Sequence, residues 1–542
     1  MKANKILSSI ALALTVILFA SCDSKFDEIN KDPNRPSQVQ TPGLLIQLER
    51  QIAYYYYDSW QGLRMNGVIG QQWVQRTYTE EDRYDFGGRT GTITSFFNYT
   101  YTFSEIANKI ITLNEEDPTA AAYGDTKLQV ATARILKAWL LIQNCETFGD
   151  VPYTEANNLI EFPLPKYDKQ EFIFKDLIRE LKEINTSLQG VSRGWTAGDN
   201  LLGGSADKWR RFANSLRLQI ALRMSNVEPA FSASEADAAI ADGVMRDNGD
   251  NAAFYFISMG NPNMHPKYDT YASRMDFIPS WQFCNMLFGN DDDYIGFKNP
   301  FKGISDPRFI QFVQSPADQA AGNPPPTLSV PIGLVGGDND AVWSYLGTDA
   351  VPGTRISYGP TASRPDNILP KPVQAAFWST LLDFPNVAFM IAERRGNDRS
   401  YFQQGIEASM EVWGVPTADA AAYVSAVMDK FDDASSEGKF EMIITQKYIH
   451  NFAHYDQESV FEYRRTEYPK SVVMPGQQTG GTYNNGNTYK FIPLDGSTDF
   501  LQRMKYSVNE DVYNKDNRAA AIASMGGDEQ SIPLYYAKKY RK

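Results

Sequence analysis

Only three of the 542 residues are cysteine (Cys22, Cys145 and Cys284), and only three are histidine (His265, His450 and His454). Scarce cysteine excludes a disulfide scaffold. The chain must be held by a hydrophobic core, which this length is ample to bury. A Cys145–Cys284 bridge is one arrangement, but Cys145 falls on the apolar stripe of a predicted helix, so a buried free thiol is expected. His450 and His454 stand four apart on another predicted helix. No Glu completes an HExxH pattern, which excludes a zinc peptidase of that type. Hydrogen bonding between helices is the expected role of this pair, and no metal is expected there. No GxSxG elbow, P-loop or Rossmann glycine pattern occurs, so the chain reads as a non-enzyme needing no cofactor. Paired carboxylates for glycoside hydrolysis leave no local signature, and among 65 acidic residues such pairs arise by chance. The run Asp291-Asp292-Asp293 suggests a solvated turn more than a calcium loop. Positive charge is also short. Lys and Arg number 52, for a net charge of −13, and such a chain repels phosphates rather than binding nucleic acid.

Long hydrophobic runs are missing except at the start. Lys2 and Lys5 precede the apolar run Ile6–Ala20, and Ala20 and Ser21 lead into Cys22. That order marks a secretory signal over 1–21 that ends in a lipoprotein box. The run is shorter than the roughly 20 residues that span a bilayer. Cleavage before Cys22 and lipidation of its thiol would hang the rest of the chain from a membrane by acyl chains. Residues 22–42, which begin DSKFDEINKDPNRP after the cysteine, read as a polar tether.

Residues 43–542 read as one domain, mainly α. Helical patterns cover 43–58, 125–148, 168–188, 207–225, 233–242, 373–395, 399–413, 417–433 and 439–455. They come in consecutive pairs joined by short turns, which predicts stacked, tetratricopeptide-like helical hairpins. Two stretches break the rhythm, at about 247–370 and 467–500. They are rich in Gly, Pro, Asn and Asp and predict loop insertions with few short strands.

Aromatic residues are plentiful: 30 Tyr, 31 Phe and 9 Trp. Trp60, Trp139, Trp209 and Trp413 fall on helical stripes and are expected in the core. The run Tyr54–Tyr57 circles a helix, so at least two of its rings must reach solvent or another subunit. Two polar loops also carry aromatics, residues 72–84 and 338–345. Flat rings stack on the C–H faces of sugars, and nearby planar polar groups take their hydroxyls. Tyr78, Tyr84, Trp343 and Tyr345 are the candidate stacking residues, and Arg76 is the candidate donor.

Several segments together resemble the SusD/RagB family of Bacteroidetes outer-membrane lipoproteins. They are Phe26–Asn34 (FDEINKDPN), Phe148–Ala156 (FGDVPYTEA), Trp209–Met224 (WRRFANSLRLQIALRM), Asp306–Phe309 (DPRF), Gly405–Met410, Val412–Val415, Gln446–Ile449, and Arg464-Arg465 with Tyr468-Pro469. The resemblance implies a SusD-like helical fold and a surface-exposed, lipid-anchored protein of the outer membrane. It further implies a partner, a SusC-like TonB-dependent transporter, over which the protein closes as a lid. The ligand expected is an oligosaccharide, with an oligopeptide as the alternative and a lipid-anchored glycoside hydrolase as a further one. Most of the shared motifs are expected to hold the fold: Gly149–Pro152 ends a helix, Asp306-Pro307 starts a turn, and Arg464 and Arg465 pair with carboxylates between helices.

Overall fold

The computed structural model describes residues 39–76, 78–258, 260, 263–271, 276–333, 356, 368–480 and 488–540. Cys22, Trp343 and Tyr345 lie outside the described residues.

The chain opens with α1 (Thr41–Tyr55), whose Pro42 sits in the first turn where no N–H is needed. A π-helix follows over Ser59–Gly67, then strand β1 (Trp73–Gln75). Next come α2 (Thr90–Glu116) and α3 (Thr126–Phe148). Strands β2 (Val151–Pro152) and β3 (Tyr167–Asp168) lead into α4 (Gln170–Ser187), α5 (Ala206–Arg223) and α6 (Pro229–Asp242). The mid-chain segment holds β4 (Ala252–Tyr255), α7 (Pro266–Tyr271), β5 (Phe277–Pro279), α8 (Trp281–Leu287), α9 (Arg308–Val313) and α10 (Pro316–Ala320). The last part contains β6 (Trp378–Leu382), α11 (Phe384–Arg394), α12 (Arg399–Trp413), α13 (Thr417–Asp433), α14 (Ser436–His450), α15 (Asp456–Thr466), α16 (Glu510–Tyr513) and α17 (Lys515–Met525).

The protein is mainly helical, as the sequence predicts. Consecutive helices pack side by side, α2 on α3, α5 on both α4 and α6, and α12 on both α11 and α13. Three two-stranded antiparallel sheets occur among the described residues, pairing β1 with β5, β2 with β3 and β4 with β6. Local chemistry sets the ends of the helices. Asp125 caps α3 by accepting the Lys127 N–H, and Gly149 closes it at φ 97°. A Cβ at Gly149 would lie 2.7 Å from Met525 Sδ, so the turn also needs the space. Asp398 caps α12 by accepting the N–H groups of Ser400 and Tyr401.

Two predicted helices require correction. The span 373–395 is a strand followed by a helix. Trp378–Leu382 is buried on both faces and pairs with β4, and Asp383 then caps α11. The span 439–455 is helical only as far as His450, where α14 ends, and residues 451–455 form the turn before α15.

One continuous core runs from Leu44 to Tyr536. Trp139, Trp209 and Trp413 are fully buried in it. Charges are buried inside it too. The guanidinium of Arg223 on α5 contacts Glu146 of α3 and both Glu458 and Glu462 of α15. Lys447 of α14 lies 2.6 Å from Glu458. Arg465 of α15 reaches Glu393 of α11 at 2.6 Å. Five helices are thus pinned to one another by paired, desolvated charges, the condition under which buried ions are tolerated. Arg464 has a different role from the one predicted, since it donates to the carbonyls of Leu501 and Glu146.

The Asp306-Pro-Arg turn works in the same way. Arg308 is buried and grips both oxygens of Asp306 at 2.9 and 2.5 Å. It also donates to Ser409 of α12 at 2.7 Å and to Gln446 of α14 at 2.6 Å. A longer clasp joins distant parts of the chain. The Gln71 amide donates to the Val473 carbonyl and accepts the Val473 N–H, both at 2.8 Å.

Candidate ligand-binding surface

The C-terminal end of α1 carries four consecutive tyrosines, and the helix divides them. Tyr56 and Tyr57 are buried, while Tyr54 and Tyr55 are half-buried. Tyr55 packs on Tyr99 of α2 with ring centres 4.9 Å apart, and Tyr99 stacks on Phe103 at 5.2 Å with planes only 7° apart. Burial raises the Tyr99 phenol to about 12, so it acts as a neutral hydroxyl.

Asp58 then starts the π-helix, accepting the N–H groups of Trp60 and Gln61 at 2.9 and 2.7 Å. Burial pushes its carboxyl up to about 7, against the pull of those N–H groups. The wider π-helical turn sets Trp60 on the outside. The residue is 48% exposed, which corrects its expected place in the core. The guanidinium of Arg64 lies over it, 4.3 Å from the ring. Arg64 is held from behind by the buried Glu81 at 2.9 Å, and it lies 4.0 Å from Asp276. Arg64 is itself buried, so its guanidinium fixes the indole from one side and leaves the other face of the ring to solvent.

The pairing of β1 with β5 brings the mid-chain segment to this place. Trp73 lies opposite Pro279 and Gln75 opposite Phe277. One residue further on, the Arg76 N–H donates to the Asp276 carbonyl at 2.7 Å. The structure therefore joins Arg76 through Asp276 to the Arg64–Trp60 pair. Arg76 is half-buried, and Tyr78 is 49% exposed. Tyr84 is a correction. It is 1% exposed, with its backbone left-handed at φ 64°. Its ring packs edge-on to Phe491 with centres 5.1 Å apart. Burial raises its phenol above the ordinary value, and its ring has no face to offer a sugar. Loop composition suggested exposure, but Phe491, some four hundred residues away in sequence, covers it.

Sequence reasoning missed Trp60 and Arg64. A signal is present in the spacing, since Gly62 and Gly67 interrupt the stripe that would bury Trp60. A Cβ at Gly67 would lie 2.6 Å from the Trp73 ring. The α1 stripe therefore does not continue as an ordinary helix.

Other candidate chemistry resolves into internal pairing. Asp383, His450 and His454 place ligand-type atoms within 4.8 Å of one another and are all buried. Each ring nitrogen already has a protein partner: Ser409 and Asp383 for His450, and Thr380 and the His450 carbonyl for His454. Burial, aided by His450, lowers His454 to about 3. Burial would raise Asp383, but the two histidines outweigh it and hold its carboxyl at about 2. This is a hydrogen-bonded cluster joining β6, α12 and α14. The carboxylates of Asp291 and Asp293 are met by Lys302 and Lys298. Cys145 and Cys284 are both buried free thiols. Among the described residues, no helix is long and apolar enough to cross a membrane.

Stacked helical pairs that carry aromatic side chains at their loop end define a binding scaffold. The chain belongs to the SusD-like family, described as starch-binding and associating with the outer membrane, whose sequence pattern matches residues 33–489. Members of this family are nutrient-binding proteins that take saccharides. Solved structures share the fold. A chitin-binding protein is 22% identical, with a TM-score of 0.67 over 92% of this chain and 100% of its own. A SusD-like protein of Bacteroidetes is also 22% identical, with a TM-score of 0.68 over 92% and 100%. A SusD-like protein from Bacteroides thetaiotaomicron is 18% identical, with a TM-score of 0.66 over 92% and 98%. No curated protein matches the chain.

Proposed function

We propose that this protein captures an oligosaccharide at the surface formed by Trp60, Arg76 and Tyr78, with Arg64 buried behind Trp60 and with Trp343 and Tyr345 as the mid-chain contribution. The observation that carries this reading is the exposed Trp60 ring with the Arg64 guanidinium 4.3 Å from its centre. Stacking on the indole, which the buried Arg64 supports from beneath, would hold a pyranose ring, and Arg76 would donate to its hydroxyls. Binding alone is required, so no catalytic group is assigned.

The protein is further proposed to be lipid-anchored through Cys22 at the cell surface after loss of residues 1–21, with residues 22–42 as tether and 43–542 as one domain. It would close over a SusC-like TonB-dependent transporter and release the sugar into it. The family's outer-membrane association and the lipoprotein box at Cys22 support this. Calorimetric titration with starch and chitin oligosaccharides tests the ligand. Saturable binding of a glycan is expected. Tight peptide binding with no response to any glycan would instead establish the oligopeptide reading, and sustained release of reducing sugar would establish a hydrolase. Co-purification from native membranes should recover a large barrel protein alongside this chain.

A further inference from the structure

Away from the Trp60 surface, a cavity of about 380 Å³ opens between the start of α5, the turn after α6, and the helices α11 and α12. Four arginines line it, Arg210, Arg211, Arg246 and Arg395. That concentration is unexpected in a chain of net charge −13.

The four are not equivalent. Arg211 is buried and spent on structure, gripping both oxygens of Asp250 at 2.8 Å and also meeting Asp207. Arg210 donates to the Asp242 carbonyl at 2.8 Å and to Asp207 at 3.2 Å. The other two are exposed at the mouth. The Arg246 guanidinium comes no nearer than 3.7 Å to Asp250, with 66% of its side chain exposed. Arg395 makes no ion pair among the described residues, and its guanidinium lies over the Tyr401 ring at 5.0 Å. The carboxylates Asp207 and Asp250 match the inner pair, so the outer pair leaves the cavity net positive. Ile391, Val244 and Tyr401 supply an apolar and aromatic wall.

We propose that this cavity is a second binding site, for a sugar unit bearing a carboxylate, such as a hexuronic acid. Arginine forks match the two oxygens of a carboxylate. The volume lies in the range of small-ligand pockets and exceeds what a bare inorganic anion needs. The wall of Tyr401, Ile391 and Val244 suits the C–H face of a sugar ring. The site shares no residue with the Trp60 surface and does not depend on that assignment.

Calorimetric titration of the full-length protein in detergent tests this, with glucuronate, glucose and inorganic sulfate as separate probes. One equivalent of glucuronate should bind, glucose should not compete for it, and sulfate should bind at least tenfold more weakly. The double variant Arg246→Gln/Arg395→Gln should lose at least tenfold in glucuronate affinity at unchanged melting temperature, because both side chains are exposed. Trp60→Ala should leave glucuronate binding intact. No saturable glucuronate binding, or equal binding by the double variant, overturns the proposal. Sulfate binding as tightly as glucuronate reduces the cavity to an inorganic-anion site and overturns the sugar assignment.

Discussion

Arg223 and Glu458 form an ion pair in which each side chain is only 1% exposed. The same guanidinium serves Glu146 and Glu462, so one cation holds three carboxylates that burial would otherwise disfavour. Burial pushes Glu146 up to about 7 even beside Arg223. Replacing Arg223 by Met should cost about 3–5 kcal/mol, as expected when one partner leaves buried charges behind. Adding Glu458→Gln should recover part of that loss. Chemical denaturation of both variants checks this, and an additive double variant would show that the contact carries no coupling.

Trp60 gives the opposite expectation. The residue is half exposed, so Trp60→Ala should leave the melting temperature nearly unchanged while saccharide affinity falls about tenfold, or about 1.4 kcal/mol. Calorimetry and thermal melting read the two effects separately. Unchanged affinity would remove the residue from the binding surface.

Two buried histidines, His454 and His265, weaken the fold in acid. His454 is held neutral, at about 3, against an ordinary value near 6.5. Burial lowers His265 in the same sense. As pH falls below about 6.5, the unfolded chain takes up protons that the folded one refuses, so stability falls. Each group contributes at most about 1.4 kcal/mol per pH unit. His454→Gln should therefore flatten the slope between pH 6 and 4 by about one proton. Denaturation at several pH values would show it, and equal slopes would mean that His454 is not the titrating group.

Cys22→Ser should abolish lipidation, moving the protein out of the membrane fraction and stopping uptake, while fold and ligand affinity persist. Membrane fractionation and mass measurement decide this. A variant that remains membrane-bound by acyl chains would disprove the anchor.

Where the sequence was legible, local chemistry agreed with packing. Helices α12 and α13 fall on their predicted limits, because Asp398 and Gly414 bound the first and Pro416 precedes the second. Helix α2 went unnoticed. Its first half, TGTITSFFNYTYTF, is β-branched and aromatic and has the composition of a strand. Packing overrode that preference, because Ile93, Phe96, Phe97, Thr100, Phe103, Ala107 and Ile110 form one buried helical stripe. Strand β6 was absorbed into a helix because WSTLL, buried on both faces, has no alternation to reveal it. The candidate surface was legible only in part. The loop holding Arg76 and Tyr78 is visible from its composition, whereas the mid-chain loop 338–345 lies outside the described residues and the segment that does pair with β1, strand β5 (Phe277–Pro279), is not marked by composition. The exposure of Trp60 depends on a π-helical turn, and the burial of Tyr84 depends on Phe491. The first leaves a local trace in Gly62 and Gly67, whereas the second is a tertiary contact that no local pattern records.

The clasp between Gln71 and Val473 imposes an order of assembly. Neighbouring helices can pair as soon as each is made, because their contacts are close in sequence. The ground beneath Trp60, Arg76 and Tyr78 is different. It waits for partners roughly two hundred residues away at Asp276 and four hundred away at Val473. A chain released before Val473 would lack this clasp, so the proposed binding face would be completed only after the neighbouring helices have paired.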